Sequence, residues 1–144
     1  MSDVSTYFLD ACVPMYAAGR GHSYREPCLR ILEAVAGGAV EAVTDTEVIQ
    51  EIVYRYHAVG RIADGRQVAE SFLEAVETVL PVTRREAARF LALQRAYPLL
   101  LPRDAIHVAV MEAAGLSRIV TADRHFGDLP GIERVDPADL AAAL

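Results

Sequence analysis

Three carboxylates in this chain stand at positions where a strand ends or a helix begins, and a fourth lies nearby within a helix. Asp10 and Asp123 each end a short apolar run, Asp104 lies in the first turn of a long apolar helix, and Glu51 lies one turn inside another helix. In a parallel α/β sheet the carboxyl ends of the strands share one edge, where ligand sites form. Converging carboxylates repel each other and need a cation, and hard oxygen ligands suit Mg²⁺ or Mn²⁺. This pattern predicts metal-assisted chemistry, most naturally on phosphate esters.

The elements that would position these acids alternate along the chain. Apolar runs of strand type are separated by stretches with helical periodicity, which argues for a central parallel sheet covered by helices on both faces. We expect about four to five strands in a single domain over residues 1–144. The predicted strands are 6–9, 40–43, 119–121 and 132–135, with 80–82 as a connection or edge strand. The predicted helices run to 16 and over 23–36, 44–59, 64–79, 83–97 and 102–114, and a short one follows Asp136.

Three of the helix starts carry predicted caps. Serine, threonine or aspartate followed three residues later by glutamate or glutamine is the pattern of a capped N-terminus. The pairs are Thr44 with Glu47, Asp64 with Gln67, and Thr83 with Glu86.

Composition excludes several classes of protein. The chain has 144 residues with 53% hydrophobic content, so it can bury a core, and no apolar run approaches the length of a membrane span. Met1 to Asp3 show no basic leader, so we expect a cytoplasmic protein. All fourteen basic residues are arginine, which removes lysine-based phosphate binding and Schiff-base chemistry. A net charge of −6 argues against simple electrostatic binding of nucleic acid, although metal ligands would account for several of the negative charges.

Each acid also has a purely structural interpretation. Asp10 could cap the helix that follows it, and Asp104 could complement the dipole of its helix. Glu51 could be an exposed acid on a helix surface. Asp128, five residues after Asp123, is more readily explained as a turn residue before Pro130 and Gly131 than as a ligand.

Three other polar side chains bear on the site. Thr121 could hold a metal-bound water, or could simply cap the turn after its strand. His107 lies one turn after Asp104, and we favour packing or support of the site over direct ligation. Cys12 and Cys28 form no zinc-binding pattern and are expected to be reduced thiols.

The order of these motifs resembles the PIN domain, with the bacterial VapC-type toxins as the nearest subgroup. Four segments carry the likeness and together span nearly the whole chain. They are Phe8-Leu9-Asp10, Val48-Ile49-Gln50-Glu51, Arg103-Asp104-Ala105-Ile106-His107 and Ile119-Val120-Thr121-Ala122-Asp123-Arg124-His125-Phe126.

The resemblance implies a PIN-like three-layer α/β fold and a Mg²⁺- or Mn²⁺-dependent endoribonuclease. Carried over residue by residue, the ligand set would be Asp10, Glu51, Asp104 and Asp123, with Thr121 at the family's Ser or Thr position. Attack by water would leave 5′-phosphate and 3′-hydroxyl ends. The family also implies an RNA substrate, a cognate antitoxin protein that blocks the site with a basic side chain, and a homodimer, for which the helices between 63 and 97 offer surface.

The chain departs from the family pattern at three positions. Cys12 stands near a common Ser or Asn, Pro14 interrupts the start of the first helix, and Gly127 replaces a common acid, which leaves Asp128 as a shifted substitute. These departures bear on a second metal position more than on the first.

Two other classes of function compete with the nuclease. One is a PIN-like module that binds RNA or protein without cutting, against which the four acids argue. The other is a different Mg²⁺-dependent α/β enzyme. A haloacid-dehalogenase-type phosphatase would need an acid at Cys12, and a receiver domain would need a lysine, which the chain lacks.

Overall fold

The computed structural model describes residues 6–144, so the leader expectation drawn from Met1 to Asp3 lies outside the described residues. Strands and helices alternate as predicted. The strands are β1 (Thr6–Leu9), β2 (Glu41–Asp45), β3 (Thr78–Leu80), β4 (Arg118–Val120) and β5 (Glu133–Val135). The helices are α1 (Cys12–Ala18), α2 (Arg25–Ala36), α3 (Thr46–Ala58), α4 (Ile62–Ala75), α5 (Arg84–Ala96), α6 (Pro102–Ala113) and α7 (Pro137–Ala142), with a 3₁₀ turn at Arg124–Asp128.

The five strands form one fully parallel sheet in the order β3-β2-β1-β4-β5. Phe8 of β1 lies opposite Val43 on one side and Ile119 on the other. Phe8 and Ile119 have no exposed surface, as expected for a central strand pair covered on both faces. The prediction of a helix-flanked parallel sheet is confirmed, and the carboxyl ends of β1, β2 and β4 lie side by side.

Helix α6 is the most completely buried helix. Its buried residues include Ala105, Val108 and Met111, and Pro102 occupies its first turn, where a missing N–H costs nothing. Within the described residues, no helix is both long and apolar enough to span a membrane.

Two of the predicted caps are wrong. Asp45, not Thr44, caps α3 by accepting a hydrogen bond from the Val48 N–H at 2.8 Å, because the Thr44 hydroxyl donates instead to the Leu9 carbonyl. Asp64 lies inside α4 and pairs with Arg61 at 2.9 Å.

Other local expectations have mixed outcomes. The capping box of Thr83 and Glu86 is confirmed. Helix α4 ends at Ala75 and not near 79, because the chain turns there into edge strand β3. Pro14 does not interrupt α1, since it lies in the first turn, where no helical N–H partner is needed.

Close packing between α3 and α4 generates a stability prediction at Gly65. A Cβ atom placed there would lie 2.6 Å from the Cβ of Tyr56, so the two helices would have to move apart. We expect Gly65→Ala to lower the free energy of unfolding by about 1–3 kcal/mol in urea denaturation, although alanine is ordinarily the better helix former. Gly127→Ala, where a Cβ meets nothing within 4 Å, is the matched control. Equal stability of the two variants would contradict this packing.

Candidate metal and active site

The fold brings the four predicted acids into one cleft at the carboxyl edge of the sheet. Asp10 follows β1, Glu51 comes from the second turn of α3, Asp104 from the first turn of α6, and Asp123 follows β4. All four line a cavity of about 220 Å³ together with Cys12, Tyr16, Arg55, Arg103, Thr121 and Ala122. The convergence expected from the strand ends is therefore found.

Three of these acids are buried, unlike the exposed groups of the structural alternative, although Asp10 does accept the Ala11 N–H at 2.8 Å. Asp104 is 3% exposed, Asp10 is 7% exposed and Glu51 is 8% exposed. Oδ2 of Asp104 is buried without a hydrogen-bond partner among the described residues. A buried carboxylate oxygen without a donor is costly, and a bound cation would satisfy it.

Thr121 links two of the acids. Its hydroxyl donates to Oδ2 of Asp10 at 2.7 Å, and its oxygen accepts the Asp123 N–H at 3.0 Å. The turn capping anticipated for this residue is therefore found, and its hydroxyl in addition orients the carboxylate of Asp10. Asp123 in turn accepts the His125 N–H at 2.9 Å, which fixes one of its oxygens at the start of the 3₁₀ turn.

Sequence reasoning missed Asp45, which is fully buried beneath the cleft. Its Oδ2 lies 2.7 Å from Nδ1 of His107, while Nε2 of His107 lies 3.4 Å from Oε1 of Glu51 and 3.9 Å from Oδ1 of Asp10. His107 supports the acids from inside the fold, as expected. The available signal was an acid at the carboxyl end of β2, whereas its contact with His107 has no signal in the sequence.

The two other candidate residues, Asp128 and Cys12, differ in their position relative to the cleft. Asp128 is exposed at the end of the 3₁₀ turn and does not line the cleft. Cys12 does line it, 3.8 Å from the Thr121 hydroxyl oxygen, but burial and the nearby Asp10 raise the pKa of its thiol to about 12. Cys12 is therefore a neutral thiol and not a thiolate ligand.

The donor set fits a hard divalent cation. Oxygens of Asp10 and Glu51 lie within 4.8 Å of one another, and Asp104 adds its unpartnered oxygen at the same cleft. Carboxylate oxygens are the ligands that Mg²⁺ and Mn²⁺ prefer. Two half-exposed arginines offset part of this charge: Arg55 lies 3.5 Å and Arg103 3.8 Å from Oε2 of Glu51, and Arg103 also lies 3.9 Å from Oδ1 of Asp104.

The comparisons with known proteins agree with this geometry. Residues 7–132 match the PIN domain. The chain belongs to the PIN domain family. The ribonuclease VapC13 of Mycobacterium tuberculosis is 35% identical over 127 residues, which cover 88% of this chain and 97% of that relative.

Two solved structures with the same fold are VapBC assemblies. A VapBC2 structure from Rickettsia felis, bound to a DNA fragment from its promoter, matches with a TM-score of 0.69 at 14% identity and covers 90% of this chain and 97% of that chain. A DNA-bound VapBC structure from Salmonella typhimurium matches with a TM-score of 0.68 at 19% identity and covers 92% and 98%. At these identities the likeness establishes the PIN fold.

The charges in the cleft shift the pKa values of its members. Burial raises the pKa of Asp104 to about 7, and the charges of Asp10 and Asp123 act in the same direction. Burial also raises the pKa of Asp10. Burial alone would lower the pKa of His107, but its hydrogen bonds to Asp45 and Glu51 outweigh this and raise the pKa to about 10. The metal-free cleft thus contains an imidazolium and at least one carboxyl that ionises reluctantly.

The raised pKa of Asp104 makes the stability of the metal-free protein depend on pH. The carboxyl titrates near 3.8 when unperturbed, as in the unfolded chain, but holds its proton to about 7 in the fold. Between these values the folded state binds more protons, so the free energy of unfolding falls as pH rises. We expect Asp104→Asn to remove much of this slope between about pH 4 and pH 6.5. The measurement is urea unfolding in EDTA.

The control for this prediction is Asp139→Asn, which changes an exposed acid in α7. Asp10 also has a raised pKa, so some slope will remain in Asp104→Asn. If wild type and Asp104→Asn had parallel slopes, Asp104 would ionise normally in the fold.

Proposed function

We propose that this protein is a metal-dependent endoribonuclease of the VapC toxin type, which cuts RNA by hydrolysis. The observation that carries this proposal is the convergence of four acids on one cleft, with an oxygen of Asp104 buried and unpartnered. The relatives at 35% identity are named as VapC ribonucleases and match almost over their full length. Location in the cytoplasm and a single domain over residues 1–144 are part of the same proposal.

In this proposal Asp10, Glu51, Asp104 and Asp123 hold Mg²⁺, for which Mn²⁺ can substitute. When bound, the cation polarises a phosphate and lowers the pKa of a water molecule. Thr121 fixes the carboxylate of Asp10 through its 2.7 Å hydrogen bond. Glu51 and Asp123 are the carboxylates placed to accept a proton from an attacking water at the cleft.

We also propose two protein partners. The solved structures of this fold from Rickettsia felis and Salmonella typhimurium are VapBC assemblies, which supports a cognate antitoxin as the regulator of this chain. An arginine from such a partner would pair with the acids of the cleft. A homodimer remains a prediction, and the exposed Leu73 of α4 and Leu91 of α5 offer apolar surface for it.

A PIN-like module that binds without cutting is the competing function. Burying Asp104 beside Asp10 and Asp123 lowers the stability of the fold. A module that only binds RNA would gain nothing from this arrangement, because RNA binding requires positive charge and not clustered acids. The cleft therefore favours the enzyme.

Cleavage of a mixed pool of small RNAs tests the nuclease directly. We expect purified, antitoxin-free protein to cut in Mg²⁺ or Mn²⁺ and not in EDTA, and to leave 5′-phosphate ends. Asp104→Asn should lower the rate by at least roughly 100-fold, because it removes the ligand oxygen charge and leaves the fold intact. Asp139→Asn is the matched control and should cut as wild type does. Metal-dependent cutting by folded Asp104→Asn would overturn the ligand assignment.

Thermal unfolding separates metal binding from catalysis. A ligand that binds only the folded state raises the melting temperature, so saturating Mg²⁺ should stabilise wild type by roughly 5–10 °C at about 100 times its Kd. Asp104→Asn should show little shift. Equal shifts in both proteins would place the ion elsewhere, whereas a shift in wild type without RNA cleavage would point to a highly selective substrate.

A further inference from the structure

A second cavity opens directly beside the acid cleft. It has a volume of about 410 Å³ and is lined by Cys12, Met15, Tyr16, Arg55, Tyr56, Val59 and Arg61. Three of these residues, Cys12, Tyr16 and Arg55, also line the acid cleft. The two cavities are therefore adjacent, and a molecule that spans both would contact these three residues. We call the second cavity the side pocket.

The lining of the side pocket is aromatic and apolar, with two guanidinium groups. Tyr16, Tyr56, Met15 and Val59 provide the apolar surface. The ring of Tyr16 packs against two other rings, since its centroid lies 4.4 Å from that of His22 and 5.3 Å from that of Tyr24. A fixed aromatic wall of this kind stacks flat, π-bonded groups with little loss of side-chain entropy.

The position of Arg55 connects the pocket with the cleft. Its guanidinium lies 3.5 Å from Glu51 and 3.9 Å from the sulfur of Met15, so it stands at the boundary between the two cavities. Arg103 lies on the cleft and is, like Arg55, about half exposed. Because the acids repel phosphates, these two guanidinium groups are the positive charges of the cleft available to an RNA backbone that enters it.

We propose that the side pocket binds an unpaired nucleobase next to the phosphate that is cut, with Tyr16 as the stacking surface. This inference rests on the proposed ribonuclease function and deepens it. A base that is stacked inside a protein pocket cannot be paired, so the substrate must be single-stranded at this nucleotide. The arginines neutralise the backbone on either side, while the aromatic pocket selects the base.

The proposal is tested by RNA binding in the Asp104→Asn background, where cleavage is removed. The probe is a short single-stranded RNA that carries 2-aminopurine, whose fluorescence falls when it stacks. We expect Tyr16→Ala to weaken binding at least about fivefold and to abolish the fluorescence loss, whereas Tyr16→Phe keeps both. Tyr54→Ala is the matched control, because Tyr54 is 62% exposed and lines neither cavity.

Two further measurements keep the test decisive. An RNA with an abasic sugar at the pocket nucleotide should bind both Tyr16 forms equally weakly. If Tyr16→Ala does not fold, Val59→Asp places a negative charge at an exposed position on the pocket and should weaken RNA binding, whereas Leu99→Asp, at an exposed leucine outside both cavities, should not.

The outcomes separate this inference from the ribonuclease proposal. Unchanged affinity and fluorescence in folded Tyr16→Ala, or an equal loss in Tyr54→Ala, would overturn the side pocket while leaving metal-dependent cleavage untouched. Stacking at Tyr16 in a protein that never cuts RNA would support the pocket and refute the nuclease. Absence of RNA binding by the parent Asp104→Asn protein would refute the pocket.

Discussion

Mutual repulsion of the buried carboxylates is the constraint around which the sheet edge is built. Asp10, Glu51 and Asp104 are each less than a tenth exposed, so water screens their charges poorly. This repulsion is reduced by His107, which is fully buried. Its ring forms a hydrogen bond with Asp45 on one side and faces Glu51 and Asp10 on the other. One buried imidazolium offsets part of the negative charge, but burial, together with the charges of Asp10 and Asp123, still raises the pKa of Asp104 to about 7. The charge balance of the cleft therefore favours a bound cation.

Sequence patterns predicted the parts of this arrangement that depend on local chemistry. The alternation of apolar runs with stretches of helical periodicity was enough to predict the parallel sheet. Parallel strands place Asp10 and Asp123 at the same edge, whatever the conformation of the loops between them. The capping box of Thr83 and Glu86 was likewise visible, because it involves residues three apart. Such features follow from backbone geometry alone and need no knowledge of the tertiary packing.

The errors came where a distant contact decides a local choice. Thr44 and Asp45 are both acceptable caps for α3, and sequence spacing favoured Thr44. The Leu9 carbonyl, 35 residues away in sequence, accepts a hydrogen bond from the Thr44 hydroxyl. The oxygen of Asp45 that does not cap α3 forms a hydrogen bond with His107, which is 62 residues away. Neither contact has a sequence signature, so the buried pair of Asp45 and His107 beneath the site could not be deduced before the fold was known.

The arrangement of charge in the cleft also explains how an acidic protein can bind a polyanion. The net charge of −6 repels RNA at long range, and the acids of the cleft add to this while it is metal-free. In the proposed function, a divalent cation held by the four carboxylates would offset this negative charge, so Arg55 and Arg103 would no longer have to offset Glu51 alone. Both guanidinium groups would then donate hydrogen bonds to phosphates more readily. On electrostatic grounds, a bound cation would therefore strengthen RNA binding without being required for it.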